Sequence, residues 1–141
     1  MQRQSSEFRH SQPRVSGAAQ STFAPESLKR RILPKVCAGE YMLAVCMTEP
    51  HAGTDALAMR CTARRDGDTY VLNGAKMWIS NAPFADIAVV WAKDEAGDIR
   101  GVVVERGMKG FTTPETHGKW SLRASATGEL VFDNVLVPKE N

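Results

Sequence analysis

Nine residues, Met47-Thr48-Glu49-Pro50-His51-Ala52-Gly53-Thr54-Asp55, crowd hydroxyls, carboxylates, a proline and a glycine into one short run. The run directly follows the apolar segment Tyr41 to Cys46, the pattern of a strand that ends in a rigid polar loop. Pro50 and Gly53 restrict the backbone, which lets the amides of Ala52 to Thr54 and the hydroxyls of Thr48 and Thr54 point at a polar ligand. Three readings stand open: a ligand-holding loop, a plain surface turn, and a catalytic carboxylate pair, Glu49 with Asp55. For the last, the sequence shows no environment that would raise either carboxyl's pKa. A second stretch, Lys76-Met77-Trp78-Ile79-Ser80-Asn81, is a strand end in which period-two alternation puts Trp78 and Ser80 on one face. An indole beside a hydroxyl suits a flat heteroaromatic ring, with stacking contributing about 0.5 to 1.5 kcal/mol. Trp78 in the core, with Ser80 starting a turn before Asn81 and Pro83, fits the same letters.

The elements that must position these residues are mainly β. From Glu40 onward, β-branched and aromatic residues alternate with polar ones between turn residues. The pattern predicts strands at about Tyr41 to Thr48, Met59 to Arg65, Thr69 to Trp78, Ile87 to Ala92, Arg100 to Glu105, Phe111 to Thr116 and Glu129 to Val137. Asp66-Gly67 predicts a tight hairpin with both residues at positive φ, Lys93 to Asp98 a polar hairpin loop, and Gly107 to Gly110 a further turn. About seven short strands at such spacing imply an antiparallel β-barrel or orthogonal sandwich, with no helix long enough for βαβ crossovers and no G-x-G-x-x-G. Before them, Pro25 and Glu26 suit a helical first turn, and Leu28, Ile32 and Leu33 recur at helical spacing. This short helix is expected to end or kink at Pro34, with Gly39 stopping whatever turn continues through Cys37. Residues 1–23, rich in Ser, Gln and Arg, show neither period and read as a disordered leader to a single domain at 24–141.

Composition sets outer limits. At 141 residues, 43% hydrophobic, 24% charged and a net charge of +2, the chain is an ordinary globular domain whose bulk charge selects neither nucleic acid nor an anionic membrane. The three cysteines, Cys37, Cys46 and Cys61, make no C-x-x-C and have no His at metal-ligand spacing, which suits a reducing compartment. Cys46 and Cys61 fall in apolar or strand-like runs and read as small buried hydrophobes.

Three separated motifs carry a family resemblance. They are Thr48-Glu49-Pro50 with Gly53 and Asp55, then Leu72-Asn73-Gly74-x-Lys76-x-Trp78-Ile79-Ser80-Asn81, then Phe132-Asp133-Asn134-Val135-x-Val137-Pro138-x-Glu140-Asn141. In this order and spacing the chain, over roughly Pro25 to Asn141, resembles the middle β-domain of the acyl-CoA dehydrogenases. Within that family it looks most like the glutaryl-CoA dehydrogenase branch, through Val89-Val90-Trp91-Ala92, Ile99-Arg100-Gly101, Glu105-x-Gly107-Met108-x-Gly110 and above all Gly118-Lys119-Trp120-Ser121-Leu122-Arg123-Ala124-Ser125.

The resemblance implies an FAD site in which Val45, Cys46, Met47, Thr48, Gly53 and Thr54 form one side and Trp78, Ile79 and Ser80 the other. Thr48 and Ser80 would hydrogen-bond the flavin ring, Trp78 would pack against it, and Thr54 would also meet the acyl-CoA. Ser80 stands where the family usually has Thr, and Thr54 where it usually has Ser; each keeps a hydroxyl. The implied reaction is α,β-dehydrogenation of an acyl-CoA, glutaryl-CoA favoured, with hydride passing to the flavin and electrons onward to an electron-transfer flavoprotein. The implied setting is a homo-oligomer in the bacterial cytoplasm or the mitochondrial matrix. The family's helical domains and its catalytic Glu have no counterpart in these residues, and neither Glu129 nor Glu140 matches that Glu. The isolated chain is therefore expected not to turn over glutaryl-CoA, to bind FAD weakly or not at all, and to self-associate. A non-catalytic β-barrel module and an acyl-CoA oxidase-like domain are the alternatives.

Overall fold

The computed structural model describes residues 24–141, so the leader reading at 1–23 lies outside the described residues. One helix, α1 (Glu26–Cys37), precedes seven strands: β1 (Leu43–Cys46), β2 (Thr62–Asp66), β3 (Thr69–Ser80), β4 (Ile87–Lys93), β5 (Ile99–Glu105), β6 (Phe111–Thr112) and β7 (Thr127–Pro138). They form one sheet in the order β1-β4-β2-β3-β7-β6, with β5 on β4. The mainly β architecture thus agrees with the pattern of the sequence.

The helix does not end at Pro34 but runs three residues beyond it. Pro34 removes one helical donor, yet the ladder resumes at once, with Ala38 N–H donating to Pro34 O at 2.9 Å. Gly39, at φ +74°, then terminates it, as expected: Gly39 N–H bonds Val36 O and Glu40 N–H bonds Lys35 O, the paired closure of a Schellman motif. Leu28, Ile32 and Val36 line one stripe and are buried against Leu43, Ile87 and Val103. Burial of each such side chain contributes about 1.5 to 3 kcal/mol. Arg31, on the same helix, bonds Glu105 and the Asn141 side chain, while the Asn141 amide donates to Val103 O at 3.0 Å.

Not every strand pairing is antiparallel. β1 runs parallel to β4 (Leu43↔Ile87 through Cys46↔Val90), and β2 joins the same edge of β4 further along, at Thr62↔Lys93. The chain therefore leaves the edge of β4 after Cys46 and returns to it at Cys61–Thr62. The polar run is the excursion between. This also shortens β1 relative to its apolar stretch, because the chain departs from β4 at Met47. β6 is likewise only two residues long. The first hairpin turns on Gly67-Asp68 rather than Asp66-Gly67, since Asp66 stays paired with Thr69 and only Gly67 has positive φ.

β3 is the long central strand, paired with β2 and β7. Its pairing with β7 slips twice. At the first slip, Asp133 and Asn134 oppose Asn73, whose Oδ1 accepts the Asn134 N–H at 2.9 Å. At the second, Met77 and Trp78 oppose Glu129, a β-bulge. Gly110 seats the turn before β6 against this strand pair: a Cβ there would lie 2.1 Å from Asp133 O, at φ +84°. Gly110→Ala should therefore lower stability by more than about 2 kcal/mol, read as a drop in the urea midpoint.

Candidate functional site

The excursion from β4 is folded by its own carboxylate. Glu49 and Ala52 exchange two backbone hydrogen bonds, at 2.9 and 3.2 Å, which closes Glu49 to Ala52 into a tight turn. The Glu49 side chain turns inward and is buried. Its oxygens accept the Arg60 N–H at 2.6 Å, the Cys61 N–H at 3.0 Å and Lys76 Nζ at 2.8 Å. Lys76 itself is fully buried and also donates to Met47 O at 3.1 Å. Burial opposes ionisation of Glu49, but the Lys76 ammonium and the backbone donors outweigh it and hold the carboxyl down at about 2. An ionised carboxylate with its oxygens so occupied is a structural anion, and the catalytic-pair reading of Glu49 with exposed Asp55 fails on geometry.

The Met47–Thr48 segment lies against the end of β3: Met77 N–H donates to Thr48 O at 2.9 Å. Across from it the second bulge puts Trp78 at φ +60°, a left-handed conformation that costs a bulky residue about 1 to 3 kcal/mol. The bulge breaks period-two alternation between Lys76 and Trp78, so Trp78 is turned away from the inward face of Lys76, and buried Ile79 separates it from Ser80. Trp78 is 59% exposed and Ser80 half-buried at the strand end. Nor is Trp78 a core residue; Ile79 takes the inward place. Met47 is exposed and Thr48 half-buried. Exposed Met47 and Trp78 and half-buried Thr48 and Ser80 thus stand on two segments joined by the Met77–Thr48 hydrogen bond.

The remaining sequence candidates divide. Cys46 and Ile79 are buried, so they offer a ligand their backbone alone, and Val45 is half-buried in β1. Gly53 and Thr54 lie exposed on the outer arm of the loop, and a Cβ on Gly53 would meet nothing within 4 Å. Burial raises the Cys46 and Cys61 thiols to about 12, which makes both inert core side chains. Beyond Ser80, Asn81 is buried at φ +65°, its N–H on Ala126 O and its carbonyl accepting Phe84 and Ala85 N–H. Among the described residues its Oδ1 has no hydrogen-bond partner. Ser80 pairs with Thr127, so the run Gly118 to Ser125 enters β7 directly beside the site. Lys119 shapes that run by donating to Leu122 O, Ser125 O and Thr127 Oγ1.

Sequence reasoning missed the roles of Lys76 and Glu49 as a buried pair. Lysine is rarely buried, so it reads as surface by type. The available signal was strand parity, since Lys76 shares the inward face of Leu72. Because the Glu49 carboxyl is depressed from 4.5 to about 2, its stabilisation is complete above pH 4.5 and is lost as pH falls through 2. Wild type should therefore lose about 3 kcal/mol relative to Glu49→Gln over that window, measured by urea denaturation at stepped pH.

Residues 44–135 match the family model of the acyl-CoA dehydrogenase middle domain. The mitochondrial isovaleryl-CoA dehydrogenase of Solanum tuberosum is 46% identical over 117 residues, covering 80% of this chain and 28% of the relative. That of Pongo abelii is 42% identical over 122 residues, covering 82% and 29%. Among solved structures, a glutaryl-CoA dehydrogenase from Mycobacterium smegmatis in complex with FADH2 superposes with a TM-score of 0.86 at 44% identity, covering 89% of this chain and 32% of that one. The chain thus spans under a third of the length of these relatives. It belongs to the acyl-CoA dehydrogenase family, and what it contains is that family's middle domain.

Proposed function

We propose that this chain is the flavin-holding β-domain of an acyl-CoA dehydrogenase, with FAD lying between Met47–Thr48 and Trp78–Ser80. The observation that carries it is Trp78, held exposed in a strained left-handed bulge opposite a hydroxyl-bearing segment that is tied to the core. The donor set fits the group: an exposed indole and thioether for a flat ring, and the Thr48 and Ser80 hydroxyls for its heteroatoms. Bound FAD supplies the hydride acceptor for α,β-dehydrogenation. This chain's residues supply the ring's seat and its alignment to an acyl-CoA, with exposed Thr54 on the side where the two ligands meet. The proton acceptor belongs to the part of the full-length relatives that this chain does not span. Electron-transfer flavoprotein as acceptor and a homo-oligomeric enzyme complete the reading, and the mitochondrial relatives support a matrix location beside the bacterial cytoplasm.

For the substrate, the run Gly118 to Ser125 supports glutaryl-CoA, and it enters β7 beside Ser80. The identities to the isovaleryl-CoA dehydrogenases, 46% and 42% against 44% for the glutaryl-CoA enzyme, favour a branched acyl group equally well. Titration of the 15N-labelled chain with FAD tests the site. Weak saturable binding, with Kd of about 0.1 to 1 mM, should shift the amides of Thr48, Trp78 and Ser80 and leave those of β5 unmoved. Shifts confined elsewhere, or none at millimolar FAD, would overturn the assignment. Glutaryl-CoA and isovaleryl-CoA with an artificial acceptor should both give no turnover from this chain alone.

A further inference from the structure

We infer that Lys76 is a positioning residue for the ring-binding face, acting through the Met47–Thr48 peptide. Its Nζ lies fully buried between two acceptors that flank Thr48 in sequence, Met47 O at 3.1 Å and Glu49 Oε1 at 2.8 Å. The described chain has no cis peptide bond, and in a planar trans peptide the carbonyl and the following N–H point in opposite directions. With the Met47 carbonyl drawn inward to the ammonium, the Thr48 N–H is turned outward, to the side on which Met47 and Trp78 are exposed. The Thr48 carbonyl is engaged by Met77 N–H, and among the described residues the Thr48 amide has no backbone acceptor. Thr48 is left with an outward amide and a hydroxyl, two groups aimed by one buried cation.

An apolar side chain would fill the Lys76 site at lower desolvation cost, so burial alone does not call for lysine. What lysine adds is three donors on one atom, enough to hold Met47 and Glu49 together. Glu49 is fixed from the other side by the Arg60 and Cys61 amides. The orientation of Thr48 is thereby set from the approach to β2 and from β3, not from the loop's outer arm. This inference rests on the flavin-face reading above and extends it to a residue that touches no ligand.

The test compares the full chain with Lys76→Met and with Lys76→Met/Glu49→Gln. The single variant strands a buried carboxylate and unfolds more easily. The double variant removes both charges, keeps an amide oxygen for one of the Arg60 and Cys61 N–H groups, and should recover part of the thermal midpoint lost by the single variant. If that pair fails to fold, Lys76→Gln/Glu49→Gln is read by the same two measurements. In the recovered variant, the FAD needed to half-shift the Thr48 amide should rise at least about tenfold, a change of 1.4 kcal/mol in affinity. The Met77 amide should exchange with solvent at least about tenfold faster, while Val90 and Val104 keep their protection. A double variant with wild-type FAD titration and wild-type Met77 exchange would overturn the inference, leaving Lys76 a purely structural residue. If the wild-type chain shows no FAD-dependent shifts, the flavin reading falls by itself. Met77 exchange and the Thr48 amide position still decide whether Lys76 orients the peptide, and no change in either overturns it.

Discussion

A buried ammonium and a buried carboxylate hold the candidate site together. Removing such ions from water costs several kcal/mol each, and attraction between them offsets this only when the remaining valences are also filled. Here two backbone amides fill the carboxylate of Glu49, and a backbone carbonyl takes a second donor of Lys76. The pair joins three pieces of chain: the loop after β1, the approach to β2, and the middle of β3. A run rich in Gly, Thr, Asp and Pro would otherwise be a mobile surface loop. Tied in this way, its inner arm inherits the rigidity of the sheet, and Met47–Thr48 keeps a fixed relation to Trp78.

The glycine at position 74 serves the same end. A Cβ there would sit 2.5 Å from Cys61 Sγ, at φ +127°, so only glycine lets β3 approach the segment whose amides grip Glu49. Two residues on, Lys76 reaches the carboxylate; two further on, the bulge turns Trp78 outward. Close approach, ion pair and bulge follow one another along five residues of one strand. Stability and exposure are thereby separated: the buried members hold the strand, and the strained member faces solvent.

Much of this was legible in the letters. All seven strands fall where alternation placed them, Gly39 stops the helix, and the segment after β1 meets the end of β3, the two runs that the family resemblance puts together. What could not be read is non-local or breaks a local rule. Nothing in Leu43–Cys46 announces a parallel partner forty-four residues later, because pairing direction depends on where β4 travels and not on local propensity. Period-two alternation breaks between buried Lys76 and exposed Trp78, and this was not readable because a bulge on one strand is defined only against its partner. Lys76 was invisible as a core residue because residue type is a weaker guide than parity once a counter-charge is buried beside it.

The junction of Arg31, Glu105 and Asn141 bears on how such a domain sits in a longer polypeptide. The helix at one end of the described chain and the final residue at the other are bonded to each other and to β5. Entry and exit therefore share one side of the sheet, the arrangement that makes a folded unit insertable. The exposed Trp78 bulge is thus shaped wholly within the domain, by strands that this junction does not touch.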